Sequence, residues 1–306
     1  MTGRQRLGIV LALAAACISG VSVWVNAMAV RAVGDPVLYT TIKNAIAAVL
    51  LVTLAVALTR RAPAHGLTRP RGTRQVVGLG IVGLFGGGLA FVLFFEGLSR
   101  TSAASAGFVQ KTLVLWVAVL AVSFLRERFG ALHVGAIALL LTGQLVIGGA
   151  ALPALGTGES LVLLATLIWA VEVVIAKRLL ADLSPLTVAV ARMGIGGIAL
   201  IGFAVASGHA GALATLSGTQ WAWMALTGVI LTGYVAVWLN ALARAAATDV
   251  TAVLVVGAVI TAVLNAGGQP AALAPAGLGL ALILAGTLAI AARGLRSEGL
   301  VRQRQV

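Results

Sequence analysis

Four charged side chains stand inside long apolar runs, where the chain offers them little water. They are Lys43, Lys111, Glu172 and Arg192. A charge at the centre of a bilayer costs about 2.5–3.5 kcal/mol on insertion scales, so such a side chain must face a bundle interior or a water-filled cavity. A buried cation can receive an anionic group, and a carboxylate can receive an amine or a proton. These residues therefore point to a polar site for a small charged solute.

Lys111 is the deepest of these charges. It lies nine residues into its apolar run, about 13 Å along a helix, close to the midplane of a hydrocarbon core about 30 Å thick. We expect Lys111 to receive an anionic group of the solute; the alternative is a packing role, paired with Glu96 or a backbone carbonyl. Glu172 is expected to receive an amine or carry a proton, and its alternative is an ion pair with Arg192 or Lys177.

The other charged candidates are assigned to gating or to ion pairs. Lys43 and Arg192 each follow a helix-opening proline by seven residues. An inverted arrangement of their helices would place Lys43 in the outer third of the membrane and Arg192 in the inner third, so we expect gate or scaffold contacts from both. Glu96 lies near a helix end, where it is either solvated or paired with Lys43 or Lys111 at an outer gate.

Neutral polar and aromatic side chains complete the predicted site. Amides at depth line a cavity or hydrogen-bond between helices, and aromatic rings enclose an apolar solute or form an interfacial belt. The amide candidates are Asn26, Gln110 and Asn240, of which Asn240 is grouped with the gating contacts. The aromatic candidates are Trp24, Trp116, Trp169, Tyr234 and Trp238. Trp116 and Trp169 lie too deep for a belt and are favoured as cavity walls.

The composition requires a membrane around the elements that position these residues. Of 306 residues, 60% are hydrophobic and 9% charged, whereas a soluble chain is about a quarter charged. Ten apolar runs recur, too continuous for a transmembrane barrel, so we predict an all-α polytopic membrane protein whose helices satisfy their own backbones. The predicted helices span residues 7–30, 37–59, 75–98, 102–124, 130–149, 159–177, 185–207, 219–242, 248–267 and 275–293.

The basic residues predict the orientation. Sixteen of the 21 Lys and Arg residues fall on the side of the N-terminus, and two, Arg31 and Arg100, on the other. Because cytoplasmic loops carry the excess of positive charge, both termini are predicted to be cytoplasmic, in a plasma (inner) membrane. The dispersal of charge over short loops argues against nucleic acid as a partner, despite the net charge of +13. The lipid bilayer is the expected surrounding, and the oligomeric state is left open.

The two halves of the chain repeat each other. The stretches WVNAMAVRAVGDPVLYTTIK (24–43) and WAVEVVIAKRLLADLSPLTVAVAR (169–192) each hold a Trp, a basic residue, a helix-opening Pro and a cation seven residues later. Five helices in each half make the second half enter the membrane from the opposite side. Inverted repeats around a midplane site are a plan of secondary transporters. We predict one transmembrane domain built from repeats at residues 1–152 and 153–306.

These motifs resemble the EamA branch of the drug/metabolite transporter superfamily. The matching stretches are SGVSVWVNAMAV, DPVLYTTIKNA, FFEGLSRTSAASAGFVQKTLVLWVAVL and ERFGALHVGAIALLLTGQLVI. The resemblance implies ten helices in two inverted repeats and transport of a metabolite, with export the expected direction. The chain departs from the family pattern in three places. The usual Arg of the second helix is Lys43, the Pro that often kinks the fourth helix is missing after Lys111, and Gln269-Pro270 stand about where the first half has Glu127-Arg128.

Catalytic and metal-binding motifs are missing from the sequence. H-E-x-x-H, G-x-S-x-G, a P-loop and CxxC are absent, and the three histidines cannot form a metal triad by spacing. We expect neither an enzyme nor a cofactor or metal. The leading prediction is alternating-access transport of a small amino-acid-like or other amphipathic metabolite, with Lys111 and Glu172 reading its charges. The alternatives are a lipid or lipid-linked-sugar translocator and a non-transporting partner or sensor. Coupling to protons through Glu172 or Glu96, uniport and exchange are all open.

Overall fold

The structure, a computed structural model, describes residues 3–61, 66–127, 130–147, 155–267 and 274–302, and these residues fold into a helical bundle. Eight of its helices are long and apolar enough to cross a membrane, and two shorter apolar helices accompany them. In chain order they are α1 (Gly3–Val33), α2 (Pro36–Arg61), α3 (Thr73–Ser99), α4a (Ala103–Lys111) with α4b (Leu113–Leu120), α5 (Ala131–Ile147), α6 (Thr157–Leu179), α7 (Pro185–Ala206), α8 (Gly218–Arg244), α9a (Ala247–Leu254) with α9b (Gly257–Asn265), and α10 (Gly277–Arg302).

Each predicted apolar run coincides with one of these helices, which confirms the all-helical membrane fold. Polar side chains cap several of these helices at their N-termini. They accept hydrogen bonds from backbone N–H groups that the first turn leaves unpaired. The Asp35 carboxylate accepts from the backbone of Val37 and Leu38 at 2.9 and 3.0 Å at the start of α2. Ser184 accepts from Thr187 at 3.2 Å at the start of α7. The predicted boundary between residues 152 and 153 lies outside the described residues.

The helices pair across the two halves in the way an inverted repeat requires. Helix α1 packs along α8, and its counterpart α6 packs along α3, the counterpart of α8. Equivalent helices also pair with each other, α2 with α7 and α5 with α10. Small residues permit the close crossings: a Cβ atom built on Gly143 would lie 2.6 Å from the carbonyl oxygen of Gly279, and one on Gly279 equally close to that of Gly143.

Helices four and nine are interrupted at corresponding places of the two halves. The fourth breaks at Thr112 and the ninth at Val255 and Val256, where the backbone bonds tighten to three-residue spacing. The absence of a proline therefore does not leave the fourth helix straight. The Thr112 hydroxyl donates to the Val109 carbonyl at 2.6 Å, a back-bond that bends helices, and accepts from the indole of Trp116 at 3.1 Å.

A π-helical segment, Val82–Leu89, lies in the middle of α3 and contains three consecutive glycines. Here α7 comes so close that a Cβ atom on Gly87 would collide with the Arg192 carbonyl oxygen. Helix α6 is equally close, because a Cβ atom on Gly86 would collide with the Glu172 carboxylate. Segments with π-helical bonding are rare in helices and frequent at functional sites. This one brings two of the predicted site residues against α3.

Candidate transport site

A cavity of ≈ 200 Å³ lies at the centre of the bundle, and eight of the ten membrane helices contribute to its wall. Helices α5 and α10 do not line it. Both halves of the chain contribute, so the cavity lies between the repeats. Its polar lining consists of Ser19, Ser22, Asn26, Lys43, Gln110, Glu172, Arg192, Tyr234 and Thr251.

A buried ion pair forms one side of the cavity. The guanidinium of Arg192 donates through Nε to Glu172 Oε1 and through Nη2 to Glu172 Oε2, the second bond measuring 3.2 Å. Both residues are almost inaccessible, Glu172 at 3% and Arg192 at 5% exposure. The Nη2 group also approaches the Gly86 carbonyl of the π-helical segment at 3.4 Å. The carboxylate is thus engaged on both oxygens, so its charge is compensated within the protein.

Lys43 lies in the same cavity without such a partner. Its side chain is buried, at 2% exposure, and Nζ approaches Asn26 Oδ1 at 3.5 Å. Aromatic faces surround the ammonium, with the ring centroids of Phe95 at 4.3 Å and Tyr39 at 4.8 Å. Cation–π contacts stabilise a desolvated ammonium by about 2 kcal/mol. Within the described chain, Lys43 makes no ion pair with a carboxylate.

Aromatic rings make up much of the remaining wall. Trp169 packs edge-to-face on Phe91 with centroids 5.5 Å apart and donates its indole N–H to the Gly86 carbonyl at 3.1 Å. In α8, Tyr234 and Trp238 stack at 6.2 Å with nearly parallel planes. The cavity therefore combines a mostly apolar enclosure with a few convergent charged groups, the usual character of a small-molecule site.

Comparison with known proteins assigns the fold to a family. The sequence pattern of the EamA-like transporter family matches this chain twice, over residues 6–149 and 156–292. The chain belongs to the EamA-like transporter family. It is therefore a member of the drug/metabolite transporter superfamily, a multi-pass membrane transporter and not an enzyme, as the sequence predicts. The two matches, one in each half, agree with the repeat.

Two individual proteins resemble this EamA-like transporter. An uncharacterized transporter of Bacillus subtilis (strain 168), YxxF, is 31% identical over 150 residues, which cover 47% of each chain. The aligned part thus spans about half of that relative. The crystal structure of a second protein superposes with a TM-score of 0.71 over 94% of this chain and 98% of the other, at 19% identity. The latter likeness shows the fold alone.

The transporter brings six of the nine predicted solute-binding residues to the cavity. These are Asn26, Gln110, Trp169, Glu172, Tyr234 and Trp238. Lys111, Trp116 and Trp24 are not among the lining residues. Lys111 follows Gln110 by one residue, and one residue is about 100° around a helix. The Lys111 side chain makes no hydrogen bond or ion pair with another described residue, and the residue is half-buried. Trp116 lies beyond the break in the fourth helix, bonded to Thr112.

The residues predicted for gating are distributed differently from expectation. Lys43 and Arg192 both line the cavity, and both stand over one ring, that of Phe91, at 5.8 and 5.4 Å. Glu96 pairs with Arg100 one turn along α3 rather than with a lysine. Asn240 stays within its own helix, where it accepts from Arg244 at 2.7 Å.

Three phenylalanines of α3 line the cavity and were not predicted. Phe91, Phe94 and Phe95 lie on one face of the helix, at the spacing of neighbouring turns. The FVLFFEG stretch carries this spacing in the sequence. Apolar residues at that spacing also occur on any packed helix face, so the pattern alone does not distinguish a cavity wall from a core.

Side-chain contacts join helices at the end of the bundle that holds Arg4, here called the basic end. The Glu127 carboxylate accepts from the backbone N–H groups of Ala247 and Thr248 at 2.7 and 3.1 Å, at the start of α9a. Lys177 donates to the carbonyls of Leu242 and Ala245 at 2.7 and 2.6 Å. These bonds tie α4, α6, α8 and α9 together beneath the cavity.

At the other end, the cavity is lined by parts of α1 and α4a that remain accessible. Val23 lines it at 40% exposure, and a Cβ atom built on Gly107 would meet nothing within 4 Å. Bonds between helices occur at this end too: Thr101 donates to the Glu159 carboxylate, and Gln220 of α8 donates to the Val33 carbonyl of α1 at 3.2 Å. The accessible part of the cavity lining therefore lies on α1 and α4a.

Proposed function

We propose that this EamA-like transporter moves a small amphipathic metabolite, amino-acid-like in size, through the central cavity by alternating access, in the direction of export. The cavity between the two inverted repeats carries the proposal. A polar, partly aromatic chamber in a transporter fold has the chemistry of a solute site, and its position between inverted repeats is the one that alternating access uses.

Orientation and location follow the basic residues. The basic end holds both Arg4 and Arg244, which lie on adjacent helices, with Arg4 donating to the Ala243 carbonyl at 3.2 Å. By the positive-inside rule this end is cytoplasmic, with both termini, in a plasma (inner) membrane.

Passage of a lipid finds less support than passage of a small solute. An apolar groove of ≈ 490 Å³ runs between α2, α7 and α8. None of its lining residues belongs to the central cavity. The groove is therefore better suited to hold an acyl chain at the surface than to lead a lipid headgroup to the charged residues.

Filling the cavity tests the proposal. Gly107 lines the cavity and has open space where a side chain would begin. Gly135 of α5 has the same open space but is exposed away from the cavity, so it serves as the control. In liposomes loaded with unlabelled amino acids, counterflow of a labelled amino-acid mixture is expected for the wild type and for Gly135→Trp. Gly107→Trp is expected to reduce the rate at least about tenfold, because the indole occupies the solute's volume.

The result that would overturn the proposal is equally direct. Either no solute in the mixture exchanges through the wild type, or Gly107→Trp and Gly135→Trp exchange at the same rate. Size-exclusion profiles of both variants establish that each is folded.

A further inference from the structure

We propose that Lys43 is the anion subsite of the central cavity, and that the transported solute is a carboxylate on an apolar body whose amine, where it has one, is not required. This inference rests on the proposed transport function and names its substrate class. It moves the anion-receiving role from Lys111, which does not line the cavity, to Lys43, which does.

The charges that line the cavity do not cancel. They are the cations Lys43 and Arg192 and the acid Glu172. Both oxygens of Glu172 accept from Arg192, so this pair is closed. The ammonium of Lys43 remains as a single positive charge, since among the described residues it forms no ion pair with an acid. One unpaired cation matches one solute carboxylate.

The contacts of Lys43 within the protein leave donors free. An ammonium has three N–H donors, and the one hydrogen-bond acceptor recorded for it, Asn26 Oδ1, lies at 3.5 Å, the limit of such a bond. The same oxygen also accepts from the Tyr39 hydroxyl. Aromatic faces at 4.3 and 4.8 Å take no hydrogen bond of ordinary strength. A bound carboxylate would supply the missing acceptors through charge-assisted bonds, which are about twice as strong as neutral ones.

A cationic solute meets the opposite conditions. Its amine would have to displace Arg192 from Glu172, and breaking a buried pair strands a charge. It would also enter a chamber that already carries the Lys43 charge. The apolar body of a carboxylate, in contrast, finds the rings of Phe91, Trp169 and Trp238 around it.

Three probes with one phenylethyl skeleton separate these cases: 3-phenylpropionate carries only the carboxylate, phenylalanine both charges, and phenethylamine only the amine. Isothermal titration calorimetry on the protein in lipid nanodiscs, with empty nanodiscs as blank, measures binding without requiring transport. We expect 3-phenylpropionate and phenylalanine to bind with affinities within about tenfold of each other. Phenethylamine is expected to bind at least about tenfold more weakly than either, since a charge-assisted bond is lost.

Two variants assign the effect to Lys43. Lys43→Met removes the charge at similar length, and Asn26→Asp leaves Lys43 in place but gives it an internal acid. Each variant is expected to weaken the binding of 3-phenylpropionate at least about tenfold. Lys111→Met makes the same charge change outside the cavity lining and is expected to bind as the wild type does.

The outcomes separate the two proposals. If phenethylamine binds as tightly as 3-phenylpropionate, if none of the three probes binds, or if Asn26→Asp binds the anion as well as the wild type does, the anion subsite is wrong. Counterflow of amino acids can succeed in any of these cases, which leaves the transport function intact. Binding of the anion that depends on Lys43, without exchange of any solute in liposomes, overturns the transport function and leaves the subsite.

Discussion

The first two helices of each repeat share one arrangement of a proline and a cation, but the cation has a different partner in each half. In both, a capped proline opens the second helix, and a cation follows seven residues later and reaches back to the preceding helix. In the second half, Arg192 finds the carboxylate of Glu172 there. In the first half, Lys43 finds only the amide of Asn26. The difference separates a buried ion pair, whose charges compensate each other, from an unpaired cation, which can bind the anionic group of a solute.

The same contrast extends to the helix that packs against the backbone of each cation. In α3, Gly87 stands against the Arg192 carbonyl oxygen, and in α8, Gly228 stands where a Cβ atom would meet the Lys43 carbonyl oxygen at 3.1 Å. Only the first of these helices is π-helical at the contact. Its Gly86 carbonyl faces the cavity side and accepts hydrogen bonds from Arg192 and Trp169. In the second half, therefore, the cation also bonds to the helix that packs against it.

Breaking the closed pair is expected to have the largest effect. Glu172→Gln leaves the Arg192 charge buried without compensation, which costs about 3–5 kcal/mol of folding free energy. The lost stability is measured as a lower midpoint of thermal unfolding in detergent, followed by fluorescence-detected size exclusion. The double variant Glu172→Met with Arg192→Met strands no charge and is expected to recover most of the loss.

Lys43→Met is the matched test in the first half. Removing a buried charge without an acidic partner also removes its desolvation cost, so stability should remain within about 1 kcal/mol of the wild type. If Lys43→Met destabilises the protein as much as Glu172→Gln, the two cations are equivalent scaffold residues and the contrast between the halves is wrong.

How far the sequence predicts this contrast depends on the kind of feature. The helices were predictable because an apolar run in lipid has to satisfy its own backbone, and the equivalence of Lys43 and Arg192 follows from their distance to Pro36 and Pro185. The chemical types at the site were also predictable, because a buried charge requires a cavity or a partner.

The facing of individual side chains was not predictable. Gln110 and Lys111 are neighbours in the chain, yet only Gln110 lines the cavity, because one residue turns a helix by about 100°. The break at Thr112 and the π-helical segment of α3 change the facing further, and no proline marks either of them. Whether Glu172 pairs with Arg192 or stays open depends on distances between helices that are far apart in the sequence.

Adding a methyl group at the close helix contacts should reveal a smaller difference in stability between the halves. Gly87→Ala places a methyl group against a backbone carbonyl oxygen that cannot move aside, and overpacking of this kind costs about 1–3 kcal/mol. Gly228→Ala meets the Ile46 side chain first, at 2.7 Å, which has more freedom to adjust. We expect the loss in unfolding midpoint to be larger for Gly87→Ala.

Gly80→Ala in the same helix calibrates this comparison, since nothing lies within 4 Å of its Cβ position. There the exchange should stabilise α3 by about 0.5–1 kcal/mol, the ordinary gain of Ala over Gly inside a helix. Equal midpoints for Gly80→Ala and Gly87→Ala would mean that α3 and α7 are not in tight contact at the ion pair.

The smallest expected effect comes from making the halves alike. Asn26→Asp places a carboxylate where Lys43 and Tyr39 already approach an amide oxygen. Because the ammonium is buried in either variant, the new acid adds a charge-assisted bond and removes an uncompensated charge, and a gain of about 1 kcal/mol in folding free energy is expected. The gain should vanish in Asn26→Asp with Lys43→Met, where the acid is left alone. A loss of stability in the single variant would show that Lys43 is already compensated, and the first half would then be as closed as the second.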